Sequence, residues 1–154
     1  MSETAEERLA AMGIELPQAA APAANYLPWA RTGKLLLTAG QLPLRDGKLI
    51  ATGLLGRDLT TEQGQEAARW CAVNLLAQAR AATGDLEKVA RIVKITVFVA
   101  SAADFTEQHL VANGASDLLA TALGERGKHA RSAVGTASLP LNAPVEIEAI
   151  FELA

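Results

Sequence analysis

A chain of 154 residues, half of them hydrophobic and a fifth charged, is one domain by length and falls outside the disordered class. Its formal net charge of −3 comes without any lysine/arginine cluster, so nothing supplies the phosphate-neutralising surface that nucleic acid requires, and DNA or RNA is not favoured as a partner. A single cysteine, Cys71, excludes an internal disulfide and fits a reducing compartment. The acidic N-terminus shows no signal peptide and no apolar run nears the ~20 residues of a membrane span, so the expected location is the cytoplasm and no membrane partner is expected.

Residues 1–13 read as a short additional helix: Thr4 and Glu7 form a capping-box pattern, Leu9, Ala10 and Met12 are its apolar side chains, and Gly13 stops it. The alanine- and proline-rich stretch 14–25 predicts extended coil or an edge strand. Two strands follow, Tyr26–Ala30, interrupted by Pro28, and Lys34–Gly40, with Arg31-Thr-Gly33 as the turn between them. Asp46-Gly47 signals a second tight turn, and Gly53 and Gly56 bracket a loop.

Thr60 with Gln63 opens a long helix that Gly84 closes, with Ala67, Ala68, Cys71, Leu75 and Ala79 as its stripe and Trp70, Val73 and Leu76 widening it. The segment Arg91–Val99 reads as a strand with Val93, Ile95, Val97 and Val99 on one face and Lys94, Thr96 and Phe98 on the other. Asp104 and Glu107 predict the start of a second helix ending near Gly124, with the pair Asn113-Gly114 lowering its propensity. The chain closes on two strands joined by a proline-bounded loop. In the second, Val145, Ile147, Ala149, Phe151 and Leu153 alternate with Glu146, Glu148, Ile150 and Glu152, a period of two with one face on a core.

Helices with one apolar face against a sheet predict a single two-layer α+β domain over residues 1–154. The other sheet face mixes Lys94, Thr96, Phe98 and Ile150 with glutamates, too apolar to be only solvated, and self-association would cover it. No metal site is expected, because His109 and His129 are far apart and lack ligand spacing. Gly53-Leu-Leu-Gly56 fits no phosphate loop and no nucleophile elbow occurs. The polar run Asn113–Asp117 reads as packing or helix irregularity rather than catalysis. Arg131, Glu146 and Glu148 remain. An arginine before a strand can clamp a carboxylate and a facing carboxylate can position water, while the alternative is a solvated face with surface ion pairs. In a simple hairpin of the last two strands Arg131 would lie opposite Glu152, so the pattern does not itself bring Arg131 and Glu146 together.

Three segments carry a resemblance: Leu37-Thr-Ala-Gly40-Gln41-Leu42-Pro43, Val93-Lys-Ile-Thr96-Val97-Phe98-Val99, and Ala130-Arg131-Ser132-Ala133-Val134 through Leu139-Pro140 to Val145–Ile150. From about Pro22 onward the chain resembles the RidA/YjgF/UK114 family, the reactive-intermediate deaminases, also labelled endoribonuclease L-PSP or translation initiation inhibitor, in a divergent branch. The resemblance implies a chorismate-mutase-like fold, with a mixed sheet and two long helices on one face, and a homotrimer with clefts between subunits. It implies hydrolysis of 2-imino or enamino acids to 2-keto acids and ammonia, without metal or cofactor. Arg131 would bind the substrate carboxylate, the Ala133 carbonyl would meet the imine nitrogen and Glu146 would orient the attacking water. Tyr26 and Gly40 would line the cleft, with His109 where the deaminases carry an asparagine. Ala39 stands for a common serine, Ala133 for a frequent cysteine, and the Gly53–Thr60 segment is longer than in the deaminases. The other readings are a non-catalytic, regulatory binder of small carboxylates and, third, a ribonuclease or translation inhibitor.

Overall fold

The last strand to be synthesised occupies the middle of the sheet. The structure, a computed structural model, describes residues 3–154; Met1 and Ser2, the first two residues of the segment expected as a helix, lie outside the described residues. The elements are α1 (Ala5–Ala11), β1 (Trp29–Thr32), β2 (Leu35–Thr38), β3 (Leu44–Arg45), β4 (Lys48–Leu49), α2 (Thr61–Thr83), β5 (Val89–Ala100), α3 (Gln108–Leu123), β6 (Ala130–Thr136) and β7 (Val145–Leu153). The main sheet runs β1-β2-β7-β5-β6, and β3 and β4 form a separate hairpin. Only β5 and β6 are parallel, joined by α3 as the crossover, as parallel neighbours require. The sheet is therefore mixed, with the helices packed on it in an α+β arrangement. Among the described residues no helix is long and apolar enough to cross a membrane.

Both capping boxes form, at Thr4/Glu7 and at Thr60/Gln63, and Gly84 ends α2 in the left-handed conformation. Of the apolar side chains expected in α1, Leu9 is buried but Ala10 is exposed, and Ala5 takes the second core position. Residues 14–25 form no strand. The first strand begins at Trp29, after Pro28, and the turn falls on Gly33 and Lys34, because Arg31 and Thr32 already pair with Leu36 and Leu35. Asp46 and Gly47 both take positive φ, the geometry a two-residue hairpin needs.

Burial shows two further departures. Val93 is only partly buried while Ile92 is fully buried. The register of β5 against β7 slips between Ile92 and Lys94, and a bulge reverses side-chain alternation. The second long helix starts at Gln108, four residues after Asp104, and Glu107 makes no side-chain cap. Instead Glu107 accepts a hydrogen bond from Thr61 Oγ1 at 2.7 Å.

Every residue of α2 from Cys71 to Ala79 is buried, which a one-sided stripe does not explain. The sheet covers one side, α3 another, and the N-terminal coil and the β3–β4 hairpin a third. Polar side chains of α2 fasten that third layer. Asn74 Nδ2 donates to the carbonyls of Leu42 and Leu44, Gln78 Nε2 to that of Ala20, and Arg80 to those of Leu16 and Pro17. The Cys71 thiol lies in this core, and burial, then the charge of Glu146, pushes its pKa well above the usual thiol value.

Gly114 explains the polar interruption in α3. A Cβ built there would lie 2.0 Å from the Gln65 carbonyl oxygen of α2, so the helices touch backbone to backbone. Helix propensity alone would have Gly114→Ala stabilise by about 1 kcal/mol. The contact reverses the sign: the variant is expected to lose about 1–3 kcal/mol, measured by urea unfolding.

Candidate functional site

Arg131 pairs with Ile95 across the β5–β6 ladder, and Ile95 is a core residue. Its side chain therefore leaves the sheet on the helical side, at the outer edge, where it meets α3. There Nη1 donates to Asn113 Oδ1 at 2.9 Å and to Ser116 Oγ at 3.0 Å, and Nη2 donates to the His109 carbonyl at 2.8 Å. All three acceptors are neutral. Among the described residues no carboxylate lies within 4.0 Å of the guanidinium. A guanidinium has five N–H donors. Three are spent holding the side chain against α3, which leaves two, the number a carboxylate accepts in a parallel pair.

Ala133 lies two residues along the same face, partly buried. The Ser101 amide donates to the Thr136 carbonyl at 2.9 Å, and in a parallel ladder alternate residues bond to the neighbour. Thr136, Val134 and Ser132 thus turn their backbone groups to β5, while Ala133 turns its N–H and C=O to the open edge. Arg131 and the Ala133 backbone share that edge. His109 joins them through its carbonyl; its side chain is exposed.

Glu146 belongs to the other face. It pairs with Phe98, and Phe98 with Val134, so it stands on the open side of the sheet, two strands across and three residues along from Arg131. Strand spacing and rise place the two α-carbons roughly 14 Å apart with the sheet between their side chains. The hairpin that would have set Arg131 against Glu152 does not exist, because β5 separates β6 from β7. Glu152 instead pairs with Leu35 and Arg91.

Glu146 is half-buried and its carboxyl pKa is raised above the ordinary 4.5, first by desolvation and then by the neighbouring Glu148 charge. The backbone of Gly40 packs against this carboxyl. Leu37 pairs with Ile150 and Gln41 with Ile147, four residues on one strand against three on the other. This extra residue turns Gly40 toward Glu146. A Cβ on Gly40 would lie 2.7 Å from Glu146 Cδ and 2.8 Å from Oε2, so a side chain at position 40 would require the carboxylate to shift. Gly40 also lines a cavity of about 100 Å³ with Tyr26, Ala39, Gln41, Gln78 and Leu141. Tyr26 lies outside any strand, about half exposed, its hydroxyl accepting from the Ala23 amide at 3.3 Å.

One chain thus holds two separate groups: Arg131, Ala133 and the His109 carbonyl at the β6 edge, and Tyr26, Gly40 and Glu146 around the end of β2. The sequence reading missed Asn113, Ser116 and His129. Asn113 and Ser116 are three apart on a helix and share a face, and that spacing was the available signal. Among the described residues no group of three or more His, Cys, Asp or Glu side chains could hold a metal ion.

The family model described as "YjgF/chorismate mutase-like, putative endoribonuclease" matches residues 6–153. "Protein TCP17" of Trypanosoma cruzi is 51% identical over 158 residues, covering 99% of each chain. The crystal structure of Atu1372 from Agrobacterium tumefaciens is 55% identical with a TM-score of 0.93, covering 97% of this chain and 92% of that one. A putative endoribonuclease from Shewanella oneidensis is 36% identical with a TM-score of 0.96, covering 98% and 100%.

Because folding raises the Glu146 pKa, its ionised form weakens the isolated subunit. The loss is absent below the unfolded value of 4.5 and complete above the folded one. Carbon-13 NMR of the carboxyl is expected to give a midpoint above 4.5, and Glu148→Gln is expected to lower that midpoint.

Proposed function

The chain belongs to the YjgF/chorismate mutase-like family, and we propose that it is a homotrimeric deaminase that hydrolyses 2-imino or enamino acids to 2-keto acids and ammonia. The observation that carries this reading is the state of Arg131, a partly buried cation held by three neutral acceptors with two donors left over. A partly buried cation with no counter-ion among the described residues favours an anionic ligand, and a planar fork favours a carboxylate.

Assembly would bring the two groups together. The open sheet face exposes Leu35, Leu37 and Val134 around Phe98 and Ile150, an apolar surface that a second copy would cover. In a head-to-tail trimer the Arg131 edge of one subunit would face the Gly40–Glu146 end of the next. The substrate carboxylate would sit on Arg131 and the imine nitrogen near the Ala133 carbonyl. Glu146 would take a proton from the water that attacks the imine carbon. The same carboxyl would return that proton to the nitrogen, and the tetrahedral adduct, its hydroxyl proton passing to the nitrogen by the same route, would expel ammonia and leave a ketone. A carboxyl with a raised pKa is closer to the pH at which it can both accept and return a proton. Imines of this kind hydrolyse in water, so positioning is most of what the site must add.

A non-catalytic binder of small carboxylates is the second reading, and one relative favours it. The structure of E. coli TdcF with bound serine is 26% identical to this chain, with a TM-score of 0.61, and covers 99% of it. The family's endoribonuclease description fits less well with a net charge of −3.

Freshly generated 2-iminobutanoate is expected to release ammonia faster with the protein than without it. Arg131→Ala should lower kcat/KM by roughly a hundredfold, the loss of two charged hydrogen bonds. Keto-acid binding that depends on Arg131, with no ammonia released, would establish the binder instead. Light scattering should give three times the 16.1 kDa of one chain. Asn113→Asp keeps the acceptor on Arg131 but supplies a counter-charge. It is expected to raise the melting temperature while weakening keto-acid binding by about tenfold.

A further inference from the structure

The proton positions behind Arg131 are fixed by their neighbours. His129 Nδ1 lies 2.6 Å from the Gly127 carbonyl oxygen. A carbonyl only accepts, so Nδ1 carries the hydrogen. In the neutral ring Nε2 is then a bare lone pair, and it lies 2.9 Å from Ser116 Oγ, so the hydroxyl donates to it. With its hydrogen turned toward His129, Ser116 presents lone pairs to Arg131 Nη1 at 3.0 Å. Donation runs one way, from Arg131 to Ser116 to His129 to Gly127, and in this state every hydrogen in the series has an acceptor.

Both ends of the series are fixed. A Cβ on Gly127 would lie 2.1 Å from the Leu119 carbonyl oxygen, so the backbone that accepts the His129 hydrogen bond is pressed onto α3. Ser116 and Asn113 flank Gly114, where α3 is pressed onto the backbone of α2. We propose that His129, acting through Ser116, is a positioning residue that orients the Arg131 guanidinium before the ligand arrives. The proposal rests on the reading of Arg131 as a carboxylate clamp. A free arginine side chain samples many rotamers. A side chain already held gives up less of this freedom on binding, so the brace acts on affinity rather than on the chemical step.

Ser116→Ala and His129→Ala are each expected to raise KM for 2-iminobutanoate, and Kd for 2-oxobutanoate, by about three- to tenfold with kcat largely retained. The double variant should lose no more than either single one, because the two residues act in series. Additive losses, or a fall in kcat with KM unchanged, overturn the brace. Nitrogen-15 NMR supplies a readout that needs no ligand. His129 should show a protonated Nδ1 and a bare Nε2, and the Arg131 Nη signals should be resolved by slow rotation in the parent and averaged in both variants. A parent that neither turns over the imine nor binds the keto acid overturns the deaminase reading. The spectra still decide the brace, which fails if Ser116→Ala leaves the Arg131 Nη signals unchanged.

Discussion

Gly114 is where α3 rests on the backbone of α2, and the placement of every acceptor around Arg131 follows from that contact. Removing one Cβ lets the helices approach until a methyl group would overlap the Gln65 carbonyl. The approach is made on the α2 side by another small residue, Gly64, whose Cβ would meet Leu55 and Val111 at 2.7 and 3.0 Å. Glycine in a helix costs about 1 kcal/mol in propensity, and the buried surfaces of Val111, Ala115, Leu118 and Leu119 offset it. The result is a helix with little freedom to slide. Asn113 and Ser116, on either side of the contact, are held where β6 delivers the guanidinium.

The two charged groups of the candidate site have complementary defects. Arg131 is a cation with no anion beside it among the described residues, and Glu146 is a carboxylate whose pKa rises because it is desolvated beside Glu148. Neither relieves the other within a chain, since the sheet lies between them. In the proposed trimer each would lie in the field of its counterpart on the next subunit, and a substrate would complete the set with its own carboxylate. The same association would cover Leu35, Leu37 and Val134. One packing event would then serve two ends, burying an apolar face and assembling a polar site, and the open face need not be wholly apolar to be covered.

What could be read in the sequence was what local rules control. The two capping boxes, the Asp46-Gly47 turn and the alternation of β7 are set by residues within a few positions of one another, and they formed as expected. The Ile92/Val93 exchange was not legible, because a bulge is decided by pairing with β7, more than fifty residues away in the chain. The start of α3 was misplaced because Asp104 and Glu107 fit a local cap, while Glu107 is instead a hydrogen-bond partner of Thr61. At the site, Arg131 and Glu146 stood out through the resemblance rather than through spacing. The polar run in α3 reads as packing from the sequence, which is half of the answer. Gly114 does pack, but the residues beside it hold the arginine, a role visible only once β6 is laid next to α3.

The choice of neutral acceptors for Arg131 is itself informative. Had an aspartate stood at position 113, a partly buried ion pair would satisfy the guanidinium within the chain, and any incoming carboxylate would have to displace it or bind beside a second negative charge. Amide, hydroxyl and carbonyl oxygens hold the geometry while leaving the charge uncompensated. Such a side chain is less stable in the empty subunit than a paired one. In the proposed site an arriving anion would recover that deficit, and the affinity would then be stored as charge rather than as a preformed apolar pocket. The same reasoning applies to Gly40. A larger residue there would meet the Glu146 carboxylate and displace it from its present position. Glycine leaves it where it is half-buried with a raised pKa, which in the proposed reaction would bring it nearer the pH at which it can pass a proton in either direction.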